Sequence, residues 1–126
     1  MDKKGIPFLT ASQLSELIET KEVSPVEATE AYLDRIQEVD SKLNSYVTVT
    51  GEQALESARR AEQEIATGVN RGALHGVPMA VKDQFNTAGV LTTGGSSILK
   101  ENVPEEDATV ITRLKDAGAV LLGKLN

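Results

Sequence analysis

Lys82 stands at the polar end of an apolar run, Val77-Pro78-Met79-Ala80-Val81, with Asp83 directly after it. A lysine withdrawn from water at a strand end holds its proton less tightly, and an amine that is neutral near pH 7 can act as a general base. Bringing it there from an ordinary value near 10.4 takes about three pH units, or about 4 kcal/mol of differential solvation. That chemistry therefore needs a buried site with fixed partners. The plain alternative is a strand-end lysine whose ammonium reaches water or pairs locally. Neighbours on a strand face opposite ways, which disfavours a direct Lys82–Asp83 pair. Asp83 is better suited to accept backbone N–H groups of the turn that follows.

Other residues offer chemistry with weaker patterns. Gly94-Gly95-Ser96-Ser97 could supply a nucleophile or a nest of N–H groups for an anion. Ile98 occupies the place where a Gly-x-Ser-x-Gly elbow needs glycine, and the Gly-Lys-Ser/Thr ending of a phosphate loop is absent, so a loop role is favoured. Gly123-Lys124 likewise lacks a preceding glycine loop. His75, between Leu74 and Gly76, reads as a turn residue rather than a base. The acidic stretch from Glu101 to Asp107 reads as a solvated helix start rather than a metal site.

These residues must be positioned by a small number of elements. Thr10-Ala11-Ser12-Gln13 is a capping box, and Leu14, Leu17 and Ile18 follow at helical spacing to about Lys21. Ser24-Pro25-Val26-Glu27 is a second helix start, with stripe residues Val26, Thr29, Leu33 and Ile36 and an expected end near Asp40. Tyr46 to Thr50 is β-branched and reads as a short strand. A third helix opens at Thr50 or Gly51, with Ala54, Leu55, Ala58, Ala61 and Ile65 on one face and Gly68 as its stop. Val77–Val81 and Ala119–Leu122 are continuously apolar, as strands covered on both faces are. Between them lie a long loop, Gln84 to Pro104, and a helix led by Glu105-Glu106-Asp107 with Val110, Ile111, Leu114 and Ala117 inward. Acids in its first turn would suit the helix dipole. Strand, helix, strand makes a βαβ unit with parallel strands, and ligands of such sheets sit beyond the strand C-termini, where Lys82-Asp83 and Gly123-Lys124 fall. The chain divides on this reading into a helical segment, 1–70, and a βαβ portion, 71–126.

Composition narrows the classes further. The 126 residues suit one domain, and 40% are apolar or aromatic, enough for a core. The net charge of −6 falls wholly on 1–70. An acidic balance with only two Tyr and two Phe argues against a nucleic-acid surface. No apolar run approaches the roughly 20 residues of a membrane span, and Met1–Pro7 lacks a secretory signal. Without cysteine, and with His75 as the single histidine, disulfides, thiol catalysis and a multi-histidine metal site are out, and no cofactor is implied. The cysteine count fits a cytoplasmic location. The sequence ends directly after an apolar strand, and two or three strands leave open edges, so much of the sheet is expected to lie elsewhere.

The run Leu74-His75-Gly76-Val77-Pro78-Met79-Ala80-Val81-Lys82-Asp83 resembles the amidase signature family. So do Thr92-Thr93-Gly94-Gly95-Ser96, Asp107-Ala108-Thr109-Val110 and Gly118 to Asn126, in order and spacing, while Ser24-Pro25-Val26-Glu27 is similar to the family's leading helices. The resemblance implies an α/β fold in which these N-terminal helices and the βαβ unit form part of a mixed sheet with helices on both faces. It implies a Ser–cis-Ser–Lys amide hydrolase in which Lys82 is the catalytic lysine, taking a proton through the cis-Ser from the nucleophilic Ser while backbone N–H groups hold the oxyanion. The family's serines come from later Gly-Gly-Ser-Ser-Gly-Gly and Gly-Gly-Ser stretches that this sequence does not contain. Gly94-Gly95-Ser96-Ser97 matches a different segment of the family, and neither Ser96 nor Ser97 is assigned as nucleophile. The expected partners are the remainder of the amidase chain, which supplies both serines, and a small-molecule amide, ester or carbamate. A homodimer is compatible with this; nucleic acid and membrane are not expected. The chain alone is expected to be inactive. Two alternatives stand beside this reading: a noncatalytic interaction module, and the amidase-like component of a glutamine-dependent amidotransferase. The loop sequences favour a free-standing amidase over that component.

Overall fold

A computed structural model describes all 126 residues, Met1–Asn126. Both capping boxes form as the local sequence requires. Thr10 Oγ1 accepts from Gln13 N and Gln13 accepts from Thr10 N, opening α1 (Ala11–Glu19). Ser24 and Glu27 do the same at the head of α2 (Pro25–Leu43), with Pro25 in its first turn. α2 runs past the expected Asp40 and stops where Asn44 turns left-handed at φ 52°. Asp40 explains the difference, because its carboxylate is free to accept from Ser45 N and Tyr46 N beyond the helix end.

The sheet has three strands in the order β1-β3-β2. β1 (Tyr46–Val49) pairs antiparallel with β3 (Val120–Leu125), and β2 (Pro78–Lys82) pairs parallel with β3. The parallel pair is joined through α4 (Thr109–Asp116), as the βαβ pattern required. α3 (Gly51–Ala66) follows β1 and lays Ala54 and Ala58 on Val120 and Leu122. These alanines let the helix approach the sheet closely. Leu121, between those two strand residues, faces the other way and shares a crevice with Ile111 and Leu114 of α4. Helices therefore cover both faces of a mixed sheet. A second core gathers Leu14, Ile18, Val23, Ala28, Ala31 and Val77 under α1 and α2. Val77, from the 71–126 portion, thus packs among residues of 1–70, and β1 of 1–70 is hydrogen-bonded to β3. No helix is long and apolar enough to cross a membrane.

Three sequence expectations are corrected. β3 does not stop at Leu122; it continues through Gly123 and Lys124 to Leu125. Gly123 is needed there, because a Cβ at that position would collide with the carbonyl of Thr48 on β1. β2 is an edge strand, and only Val81 of its residues is buried, so continuous apolarity marked a sheet covered on both faces at β3 alone. α4 begins at Thr109, after the acidic run, and Val110 is exposed. The acids do not serve the helix dipole. Asp107 instead accepts from Ala88 N and pairs with Lys115, tying the long loop to α4.

Candidate functional site

Lys82 is the last residue of β2, opposite Leu125 in the register, at the C-terminal edge of the parallel pair. Its side chain is exposed. It lines a small cleft of about 50 Å³ with Val47, Asp83, Gln84, Gly94, Gly95, Leu125 and Asn126. The two glycines, both at positive φ, keep that wall free of side chains. The amine faces solvent and has no hydrogen-bond or ion-pair partner in the molecule.

Asp83 turns the other way and is buried at 3% exposure. Its backbone N–H donates to Leu125 O at 2.8 Å and its carbonyl accepts from Gly94 N at 2.8 Å. Its Oδ2 accepts from Thr93 N at 3.0 Å and from the Thr93 hydroxyl. Thus the residue after Lys82 is held by four bonds, one to β3 and three to the Thr93–Gly94 turn. The expectation that Asp83 would accept N–H groups of the turn directly after it is not met: its carboxylate reaches across to Thr93, ten residues on, where the long loop folds back.

The sequence places Lys124 beyond the strand end, at the ligand edge, and the structure instead puts it inside β3. It is fully buried in the central strand, and its ammonium donates to Phe85 O at 2.8 Å and Thr92 Oγ1 at 2.7 Å. The Asp83 Oδ1 stands 3.6 Å away, an ion-pair distance too long for a hydrogen bond, and that oxygen has no other donor. Burial pushes the Lys124 amine below its ordinary value, and Asp83 opposes that shift. Two of the three ammonium donors are thus used in hydrogen bonds, and Asp83 supplies charge rather than a third bond. Reading the strand one residue pair further would have placed Lys124 inside the sheet, but its partners lie 39 and 32 residues away.

The glycine loop is not an anion nest. Gly94 N is taken by Asp83 O, Gly95 N by Thr93 Oγ1 and Ser96 N by Thr93 O. The Ser96 hydroxyl caps the turn Ser97–Leu99 through Ile98 N. His75 is a buried structural residue in a turn. Its Nδ1 accepts from Arg71 N at 3.2 Å, so Nε2 carries the proton and donates to Glu64 at 2.8 Å. Arg71 pairs with the same Glu64 through two N–H donors and holds its carboxyl below the usual range, with His75 adding to the effect.

Comparison with known proteins places this geometry. The family model described as Amidase matches residues 27–126. The A subunit of the glutamyl-tRNA(Gln) amidotransferase of Moorella thermoacetica is 54% identical over 119 residues, covering 94% of this chain and 24% of that protein. Its namesake from Carboxydothermus hydrogenoformans is 48% identical with the same coverage. Among solved structures, the peptide amidase of Stenotrophomonas maltophilia superposes with a TM-score of 0.87 at 36% identity, over 92% of this chain and 24% of that one. A fatty acid amide hydrolase superposes with a TM-score of 0.91 at 25% identity, over 100% of this chain and 22% of that one. The chain spans about a quarter of the length of the curated relatives it matches.

Proposed function

The chain belongs to the amidase family, and on that premise we propose that it forms the lysine-bearing first portion of an amide-bond hydrolase. Lys82 is the general base in this reading. Its neutral amine takes a proton, relayed by a cis-Ser, from the Ser hydroxyl that attacks the amide carbon. The C–N bond breaks, the proton passes to the leaving nitrogen, and the acyl group is left on the Ser oxygen. Water, deprotonated by the same relay, then releases the acid. Both serines come from the remainder of the amidase chain, which also removes Lys82 from water. The oxyanion donors come from there as well, because the N–H groups of Thr93, Gly94, Gly95 and Ser96 are already used.

The observation that carries this reading is the place of Lys82. It is an unpartnered amine at the C-terminal end of a parallel strand, against a glycine-lined wall, on a backbone held by its neighbour Asp83.

The names of the relatives bear on the substrate. The loop sequences favour a free-standing amidase, but relatives at 48–54% identity are named as amidotransferase components. We therefore assign the amide of glutamine as substrate, with ammonia passed to partner proteins in the cytoplasm. Ammonia release from glutamine by the complete protein, alone and with those partners, tests this. Hydrolysis of small amides with glutamine untouched would restore the free-standing amidase. No turnover of any amide would favour the noncatalytic module.

A further inference from the structure

Lys124 and Asp83 form a buried pair that the reaction assigned to Lys82 does not itself use. Lys124 is the cross-strand partner of Val81, one step from the Lys82–Leu125 pair, and Asp83 is the next residue in the chain. Both side chains are buried, at 0% and 4% exposure, and the charges are 3.6 Å apart. The other residues of the Lys82 cleft, Val47 from β1, Gln84 and the two glycines from the loop, and Leu125 and Asn126 from β3, carry no charged side chain. Asp83 is therefore the one other residue lining the cleft that has a charged side chain, and Lys124 is its ion-pair partner.

Asp83 presents a conflict. Its bonds to Leu125, Thr93 and Gly94 hold the turn that walls the cleft. Yet a lone buried carboxylate one residue from an amine favours the protonated, catalytically idle form of that amine. A buried ammonium 3.6 Å from the same carboxylate offsets its charge and removes the conflict. Resting on the assignment of Lys82 as base, we propose that Lys124 is a positioning residue that holds Asp83 in the wall behind Lys82 and cancels its charge there.

The pairing has a directional consequence. The base must be neutral, so turnover per free enzyme falls on the acid side as Lys82 takes up a proton. Removing the Lys124 charge leaves Asp83 uncompensated, raises the affinity of Lys82 for its proton and moves that limb to higher pH. A merely structural lysine would lower activity at every pH and leave the limb in place.

The experiment is the pH profile of kcat/KM for amide hydrolysis by the complete enzyme. Lys124→Met is expected to move the acid limb up by about one pH unit. Asp83→Asn/Lys124→Met, in which both charges are gone, is expected to return it to within about 0.3 unit of wild type, the tolerance of such a profile rather than a coupling. Lys124→Gln keeps an N–H donor for Phe85 and Thr92, and it carries the same prediction as Lys124→Met should the latter not fold. A limb at its wild-type pH in a folded single variant overturns the proposal. Lys82→Ala is run alongside: full turnover by that variant defeats the base assignment itself, whereas loss there with an unmoved limb in the Lys124 variants defeats only the role of Lys124.

Discussion

Two lysines separated by one strand spacing have opposite environments, and the sequence distinguishes them poorly. The sequence singles out Lys82 because it ends an apolar run, and it marks Asp83 as an acceptor without showing that the donor is Thr93, ten residues on. Lys124 was not, because Gly123-Lys124 reads as the end of a strand while its solvation is replaced by oxygens from Phe85, Thr92 and Asp83, all far away in sequence. His75 reads as a turn residue, and local sequence cannot show that Glu64 and Arg71 close around it. That cluster yields a pH prediction. Arg71 above all, and His75 with it, hold the Glu64 carboxyl below its ordinary 4.5. A carboxyl lowered in the folded state stabilises fully above its unfolded value, and that contribution is lost as pH falls through the folded value. Glu64→Gln should therefore flatten the loss of stability below about pH 4.5, read as urea midpoints across that range. A variant whose midpoints fall as steeply as wild type there would remove Glu64 from the acid response.

At the scale of elements, what was local was readable. The capping boxes at Thr10 and Ser24 and the alanine stripe of α3 are written within single turns, and they form where the sequence puts them. The start of α4 was misplaced because the acids ahead of it serve a loop: Asp107 holds Ala88 N, a contact 19 residues away. Nothing in Tyr46–Val49 names its neighbour, and the pairing of β1 with β3 is read from the structure alone. Glycines mark where elements crowd. Gly118 leaves α4 at φ 77°, and a Cβ there would meet the His75 ring and, at 3.1 Å, the Arg71 side chain. Gly118→Ala should cost about 2–4 kcal/mol, from backbone strain added to a displaced His75. Chemical denaturation of the complete protein measures it, and a loss under about 0.5 kcal/mol, the ordinary range of a harmless surface change, would contradict this packing.

At the scale of the whole molecule, a three-stranded sheet leaves both outer strands unpaired on one side, and Val47, Val49 and Ile98 are exposed at 41%, 45% and 89%. Such edges and patches are ordinarily covered. With the curated relatives so much longer than this chain, further strands and side chains are expected to meet these surfaces. Hydrogen exchange should then be slower at β2 amides in the complete protein than in the 126-residue piece, and equal rates would contradict it. On the proposed reading these 126 residues alone should hydrolyse no amide, since both serines proposed to act with Lys82 come from the remainder of the amidase chain, and amide turnover by them would contradict it. The central claim is that the Lys82 amine moves the proton, and it is tested most directly by kcat for amide hydrolysis in the complete enzyme carrying Lys82→Ala. A fall of about 10³-fold or more, with an unchanged unfolding midpoint, is the predicted result. Turnover within about tenfold of wild type, about 1.4 kcal/mol in the barrier, would contradict it.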